Sequence, residues 1–360
     1  MPPTPVVSPI YYTCSSALSI GFAKKSLAMR RNSVYNIEND IRRIFMKIVI
    51  LDKKAMGDDI SVSPLEAFGE VVVYGATAPE ELHARIADAE VIVLNKVKIT
   101  KEAFAAAKKL RLVCEFATGY DNIDLAAARA HGVAVTNVPG YSTESVALYT
   151  MATVLSLFTH MRAFNEYVRN GSYTASGVPN LLVPVYHELA GKTWGIVGCG
   201  NIGRRVAEIA KAFGARVIVN KRTPVEDLIC VDIETLCRES DIITVHCPLN
   251  DGTRHLINKN TLTLMKPTAI LYNAARGAVL NEADVADAVL GGQIGAFGSD
   301  VYSVEPMPED HPFQKIKDRE NVLLTPHAAW AAVEARERCL SIICDNIAAY
   351  LSGDRKNRVD

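Results

Sequence analysis

Three residues with usable chemistry follow the ends of apolar, β-branched runs. His327 comes after Val322–Leu324 in Thr325-Pro326-His327, Glu305 after Gly295–Ser299 in Ser303-Val304-Glu305-Pro306, and Arg276 after Ala269–Asn273 in Asn273-Ala274-Ala275-Arg276-Gly277. Histidine gives and takes protons near neutral pH, a carboxylate beside it stabilises the imidazolium, and a guanidinium fork takes a carboxylate bidentately. Each is also an ordinary loop residue when taken alone. Three of them on one rim are the equipment for proton transfer at the carbonyl of a small organic acid, the counterpart of hydride transfer to a 2-oxo acid.

A source of hydride is suggested earlier in the chain. Gly198-Cys199-Gly200-Asn201-Ile202-Gly203 follows the apolar run Trp194–Val197 and precedes Arg204–Ala210, which has helical apolar spacing. In a strand, turn and helix of this kind the first glycine permits the turn. The second lets a pyrophosphate approach the backbone, the third lets helix pack on strand, and the helix N-terminus offers free N–H groups. GxGxxG alone is a weak signal, but here a second strand, Arg216–Val219, follows at the expected distance. The reading is a dinucleotide site.

The elements that position these residues form two series. Lys47–Leu51, Val71–Tyr74, Val91–Leu94, Leu112–Cys114 and Val133–Thr136 read as strands, with helices such as Lys101–Lys109 and Leu125–His131 between them. Six more follow: Trp194–Val197, Arg216–Val219, Ile242–Val245, Ala269–Asn273, Gly295–Ser299 and Val322–Leu324. Continuous apolar strands separated by helices predict parallel sheets covered on both faces, and six strands suffice for a Rossmann sheet. The fold class is therefore α/β, with two doubly wound parallel-sheet domains. Residues 145–332 read as the Rossmann domain, and residues 46–144 with 333–360 as a discontinuous flavodoxin-like substrate domain. The long apolar helix patterns Ser145–His160 and Val333–Leu351 are the expected crossings, with a hinge and a substrate cleft between the domains.

Composition narrows the partners. A 360-residue chain with a formal charge of −1 has no electrostatic footprint for nucleic acid or an acidic membrane surface, and no apolar run approaches a membrane span. Eight cysteines at 14, 114, 199, 230, 237, 247, 339 and 344 lack CxxC spacing. They read as reduced core residues of a cytoplasmic protein without a metal site. Residues 1–45 carry Lys24, Lys25, Arg30, Arg31, Arg42 and Arg43 against Glu38 and Asp40, with poor periodicity. They read as a disordered extension ahead of the opening strand at Met46, an organelle transit peptide being the alternative.

Gly198–Gly203, Asn273–Gly277, Asp300–Pro306 and Thr325–His327 occur in the order and spacing of the D-isomer-specific 2-hydroxyacid dehydrogenases, which this chain resembles from Met46 to its C-terminus. Ala117–Asp124 and Asn137–Ser142 are similar to further signatures of that family. The resemblance implies that His327 is the general acid in reduction and the base in oxidation, that Glu305 holds it, and that Arg276 binds the substrate carboxylate. It assigns the backbone around Asn95, Lys96 and Val97 and the Thr118-Gly119 turn to the substrate site. For the dinucleotide it implies Thr118, Gly198, Gly200, Asn201, Ile202, Gly203, Cys247, Pro248, Thr253, Ala274, Ala275, Arg276, His327 and Ala329, with Asp300 taking the nicotinamide carboxamide. NAD-binding members usually carry an acid at the end of the second strand, where this chain has Asn220, followed by Lys221, Arg222 and Thr223. The absent negative charge favours NADP(H) over NAD(H) as the NAD(P)(H) cofactor. Asp300–Pro312 and Pro326–Arg336 most resemble the glycerate dehydrogenase and hydroxypyruvate reductase branch, implying hydroxypyruvate or glyoxylate as substrate and a homodimer. Phosphoglycerate dehydrogenase and a dinucleotide-responsive, corepressor-like binding protein are the alternatives.

Overall fold

A computed structural model describes residues 46–360 other than Val225, so the reading of residues 1–45 lies outside the described residues. Short runs that are apolar on both faces, such as Val91–Leu94 and Ile242–Val245, are wholly buried, as strands interior to a helix-covered parallel sheet must be. Two such sheets form.

The first contains β1 (Met46–Ile50), β2 (Gly69–Val73), β3 (Val91–Leu94), β4 (Leu112–Glu115) and β5 (Ala134–Thr136), in the order β2-β1-β3-β4-β5. All pairings are parallel, with Ile48 opposite Val91 and Leu94 opposite Glu115. This is the flavodoxin-like order, whose switch point lies between β1 and β3. One face is covered by Leu82, Ile86, Phe104 and Ala128. The other is covered by Cys339, Leu340, Ile343 and Ile347 of the helix Val333–Leu351, so the chain's last long helix returns to its first sheet.

The second sheet contains β6 (Thr193–Val197), β7 (Arg216–Asn220), β8 (Ile229–Cys230), β9 (Ile242–Val245), β10 (Ile270–Asn273), β11 (Ala296–Ser299) and β12 (Val322–Leu324), in the order β12-β11-β10-β9-β6-β7-β8. It has seven strands rather than the six read from sequence. The addition, β8, is a two-residue edge strand held by Ile218–Ile229 and Val219–Cys230 pairing, too short to leave a periodic signal. The helix pattern at Ser145–His160 forms as Thr143–Phe158, and it buries Ala147, Met151, Val154 and Leu157 against Trp194, Ile196 and Tyr272 of this second sheet. The chain turns at His160 with a left-handed φ of 51°. Lys101–Lys109 shortens to Lys101–Ala106.

The two crossings are tied to each other. Ser145 Oγ donates to the Ala329 carbonyl at 2.6 Å and accepts from the Ala332 N–H at 3.3 Å.

Candidate active site

The glycine turn has the geometry a dinucleotide requires. Gly198 has φ 89°, and a Cβ there would lie 2.5 Å from the Cys247 backbone nitrogen. A Cβ on Gly203 would lie 2.2 Å from the Gly198 carbonyl, so only glycine lets the helix Asn201–Ala212 approach β6 this closely. A Cβ on Gly200, by contrast, would point into open space, the side from which a pyrophosphate can approach. Gly200 caps the helix without a side-chain bond, so the first-turn N–H groups of Asn201, Ile202 and Gly203 remain for an anion. These residues fit a nicotinamide dinucleotide.

Along the groove, Thr253 Oγ donates to the Pro248 carbonyl at 2.7 Å and closes the turn after Cys247. Asn220 uses its side-chain N–H on the Val231 carbonyl at 3.0 Å, which fixes the end of β7 against β8, while Lys221, Arg222 and Thr223 are exposed.

The three chemical residues leave adjacent strands of the second sheet, at its carboxyl edge where open α/β sheets bind ligands. His327 Nδ1 lies 2.7 Å from Glu305 Oε2. The histidine adopts a left-handed φ of 53°, which lets the chain reverse immediately after Pro326. Glu305 also accepts the Tyr302 N–H at 3.2 Å. Burial alone would push the Glu305 carboxyl up. The hydrogen bond and charge of His327 and the charge of Lys96 outweigh it and hold the group down at about 2.

The loop carrying Glu305 is fixed from beneath. Glu282 accepts from the Ser303 N–H at 2.8 Å and from the Ser303 hydroxyl, and its Oε2 lies 2.9 Å from His311 Nε2. Phe313 N–H donates to His311 Nδ1 at 3.1 Å, which assigns the imidazole proton to Nε2 and makes that ring the donor to Glu282. Gly277 completes the fit, since a Cβ there would lie 2.0 Å from the Tyr302 carbonyl carbon.

Arg276 Nε donates to Asp121 Oδ2 at 3.1 Å and Nη1 to the Ala275 carbonyl at 2.8 Å, linking the second-sheet rim to the loop after β4. Its guanidinium lies over the Thr118-Gly119 turn, where a Cβ on Gly119 would be 1.8 Å from Nη2. Thr118 uses its hydroxyl on the Val138 carbonyl at 2.8 Å.

Two groups that the resemblance assigns to ligands also make contacts within the protein. Asp300 is 1 % exposed. Its oxygens accept the Thr325 hydroxyl at 2.6 Å and the Ala328 and Ala329 N–H groups at 2.9 and 2.8 Å. These contacts hold the His327 loop, and burial pushes the Asp300 carboxyl up.

The N–H groups of Asn95, Lys96 and Val97 are likewise in use. All donate to Asp52, at 3.0, 2.6 and 3.3 Å, because the buried Asp52 carboxylate needs donors and the loop after β3 supplies them. The loop also brings a side chain to the site. Lys96 Nζ lies 3.3 Å from His327 Nδ1 and 3.5 Å from Glu305 Oε2.

Sequence reasoning missed this use of Lys96, the Glu282–Ser303–His311 staple and the buried pair Asp52 and Glu115. Glu115 is wholly buried at the end of β4 and accepts from the Asn122 side-chain amide at 3.2 Å. An acid ending an otherwise apolar run was the available signal. Among the described residues no His, Cys, Asp or Glu cluster could hold a metal, and no helix is long and apolar enough to cross a membrane.

Fold and site define a two-lobed α/β oxidoreductase that uses a nicotinamide dinucleotide. Residues 151–329 match the family described as D-isomer specific 2-hydroxyacid dehydrogenase, NAD binding domain. The chain is 35% identical to hydroxypyruvate reductase of Blautia hydrogenotrophica over 326 residues, covering 88% of this chain and 100% of that protein. It is 40% identical to glyoxylate reductase of Aeropyrum pernix over 279 residues, covering 75% and 82% of the two chains. Among solved structures, an acyclic imino acid reductase, Bsp5, in complex with NADPH and D-Arg, superposes with TM-score 0.78 at 30% identity, covering 88% of this chain and 100% of that one. The chain belongs to the D-isomer-specific 2-hydroxyacid dehydrogenase family and is an oxidoreductase acting on a CH–OH group.

Proposed function

We propose that this enzyme interconverts a small 2-oxo acid, hydroxypyruvate or glyoxylate, and its 2-hydroxy acid, with NADP(H) preferred to NAD(H). The contact that carries the reading is the 2.7 Å bond from His327 Nδ1 to Glu305. It occupies one ring nitrogen with the carboxylate and directs the acid–base work to Nε2. A bound nicotinamide dinucleotide supplies or removes the hydride. Arg276 binds the substrate carboxylate, His327 Nε2 protonates the carbonyl oxygen during reduction and takes the proton back during oxidation, and Glu305 stabilises the imidazolium meanwhile. Gly119 leaves room for the Arg276 guanidinium, and Thr118 orients the turn beneath it.

The cofactor preference rests on Asn220, which brings no charge to repel a 2′-phosphate, and on the exposed Lys221, Arg222 and Thr223 beside it. The other dinucleotide contacts proposed are Gly198, Gly200, Asn201, Ile202, Gly203, Cys247, Pro248, Thr253, Ala274, Ala275 and Ala329. The domain division proposed is 46–144 with 333–360 against 145–332. We also propose a cytoplasmic homodimer. Leu148, Met161, Val168, Leu182, Val185 and Tyr186 are all exposed, with Leu182 at 77 %, and a second copy of the chain would bury them.

Initial rates with hydroxypyruvate, glyoxylate, pyruvate and phenylpyruvate, each with NADH and NADPH, test the reading. His327-dependent turnover that is fastest with hydroxypyruvate or glyoxylate and NADPH supports it. Dinucleotide binding without turnover of any of these acids refutes it.

A further inference from the structure

We infer that Lys96 is a positioning residue that draws on the Glu305 carboxylate and thereby sets the pH range over which His327 can deliver its proton. The inference rests on the reading of His327 as the acid–base group, and it adds a residue of the opposite lobe to that machinery.

Lys96 Nζ lies 3.3 Å from His327 Nδ1 and 3.5 Å from Glu305 Oε2. One nitrogen cannot serve both neighbours. When Nδ1 carries a proton it donates to Glu305, and the ammonium, which has only donors, must turn to the same carboxylate. Glu305 is then shared between two cations. The ammonium offsets part of the stabilisation that the carboxylate gives the imidazolium, so the proton on Nε2 is more easily released to a carbonyl oxygen.

The groups around His327 come from several elements. Asp300, Tyr302 and Glu305 lie on the loop after β11, and Lys96 comes from the loop after β3 on the other sheet. Glu305 and Asp300 favour the imidazolium, and Lys96 opposes it. The opposing charge is also held in place by its own backbone. The Lys96 N–H donates to Asp52 at 2.6 Å, and Asn122 holds the Asn95 and Val97 carbonyls at 3.3 and 3.0 Å. The ammonium therefore reaches His327 from a loop of the other sheet.

The test compares Lys96→Met, Lys96→Arg and Glu305→Gln with the wild type, through kcat/KM for reduction against pH. Removing the cation is expected to move the alkaline limit of reduction up by about 0.5–1 pH unit, the size expected of one charge at this separation when it is screened as in bulk water, the Lys96 side chain being half exposed. Lys96→Arg is expected to restore the wild-type profile, and Glu305→Gln to move the limit down. An unmoved or lowered limit in Lys96→Met overturns the inference, as does a rise in KM with no change in the profile, which would make Lys96 a substrate anchor. Side-chain ¹⁵N titration of His327 in the free proteins gives the same comparison without turnover. The midpoint is expected to rise in Lys96→Met, and an unchanged midpoint overturns the inference. If the wild type reduces none of the acids, the catalytic reading fails while the ring titration still reports on Lys96.

Discussion

Both lobes brace a loop with a buried aspartate at the carboxyl ends of their parallel strands, Asp52 in the first and Asp300 in the second, but among the described residues only the second adds a carboxylate that faces a histidine. In the first, Asp52 and Glu115 are buried, and Asp52 spends its oxygens on the N–H groups of its own lobe. Burial pushes Asp52 up and Glu115 well above the usual carboxylate range. In the second, Glu305 retains 28 % exposure, faces a histidine and a lysine, and is held down at about 2. One set of acids braces loops, and the other acid serves a proton-transfer group. A sheet edge in itself does not make an active site. What separates Glu305 from Asp52 is that, besides a backbone N–H, it meets a histidine and a lysine side chain.

The sharpest way to break this contrast is to remove the group that Glu305 serves. His327→Ala is expected to lower kcat by about 10²- to 10⁴-fold while dinucleotide binding, followed by fluorescence, persists. Should turnover survive, the second rim would be no more chemical than the first.

Loosening the staple beneath Glu305 comes next. Glu282→Gln leaves donors from Ser303 and His311 poorly matched, so kcat/KM is expected to fall by about 10- to 100-fold through displacement of the Glu305 loop. A fall in thermal stability with undiminished kcat/KM would confine Glu282 to bracing.

A smaller effect is expected where the lobes meet. The Cβ of Gly119→Ala would strike the movable Arg276 guanidinium rather than backbone, so KM for the 2-oxo acid should rise by about tenfold, with the melting temperature little changed.

Stability against pH should show the contrast with opposite signs. Glu305 is held below its ordinary value of 4.5, so its contribution is full above that pH and is lost as pH falls toward about 2. Glu115 is held above 4.5, so its folded form costs stability as pH rises past that value. Scanning calorimetry should therefore find Glu305→Gln less stable than wild type at neutral pH, the gap closing in acid. Glu115→Gln should be more stable at neutral pH by about 2–4 °C, the shift that ~1 kcal/mol gives in a domain of moderate size. Matching signs for the two variants would remove the distinction.

Much of this was legible in the sequence, because it depends on local pattern. Runs such as Val91–Leu94 and Ile242–Val245 can be buried on both faces only in a covered parallel sheet. The spacing of Gly198, Gly200 and Gly203 already states which backbone must approach which neighbour. Arg276, Glu305 and His327 were legible because each follows its strand closely, so that strand order brings them to one edge. The two-residue β8 was not legible, since its strand character comes from pairing with β7 and not from its own composition.

Short-range periodicity and steric demand account for the two sheets, the glycine turn and the placement of Arg276, Glu305 and His327 beyond the ends of adjacent strands. Tertiary structure alone decided the partners that meet across long separations. It turned the 95–97 N–H groups inward to Asp52, gave Asp300 to the His327 loop, and set Lys96 against His327, 231 residues away. The physical reason is that a buried carboxylate takes whichever donors the packed chain brings within reach, and no local pattern records which those will be.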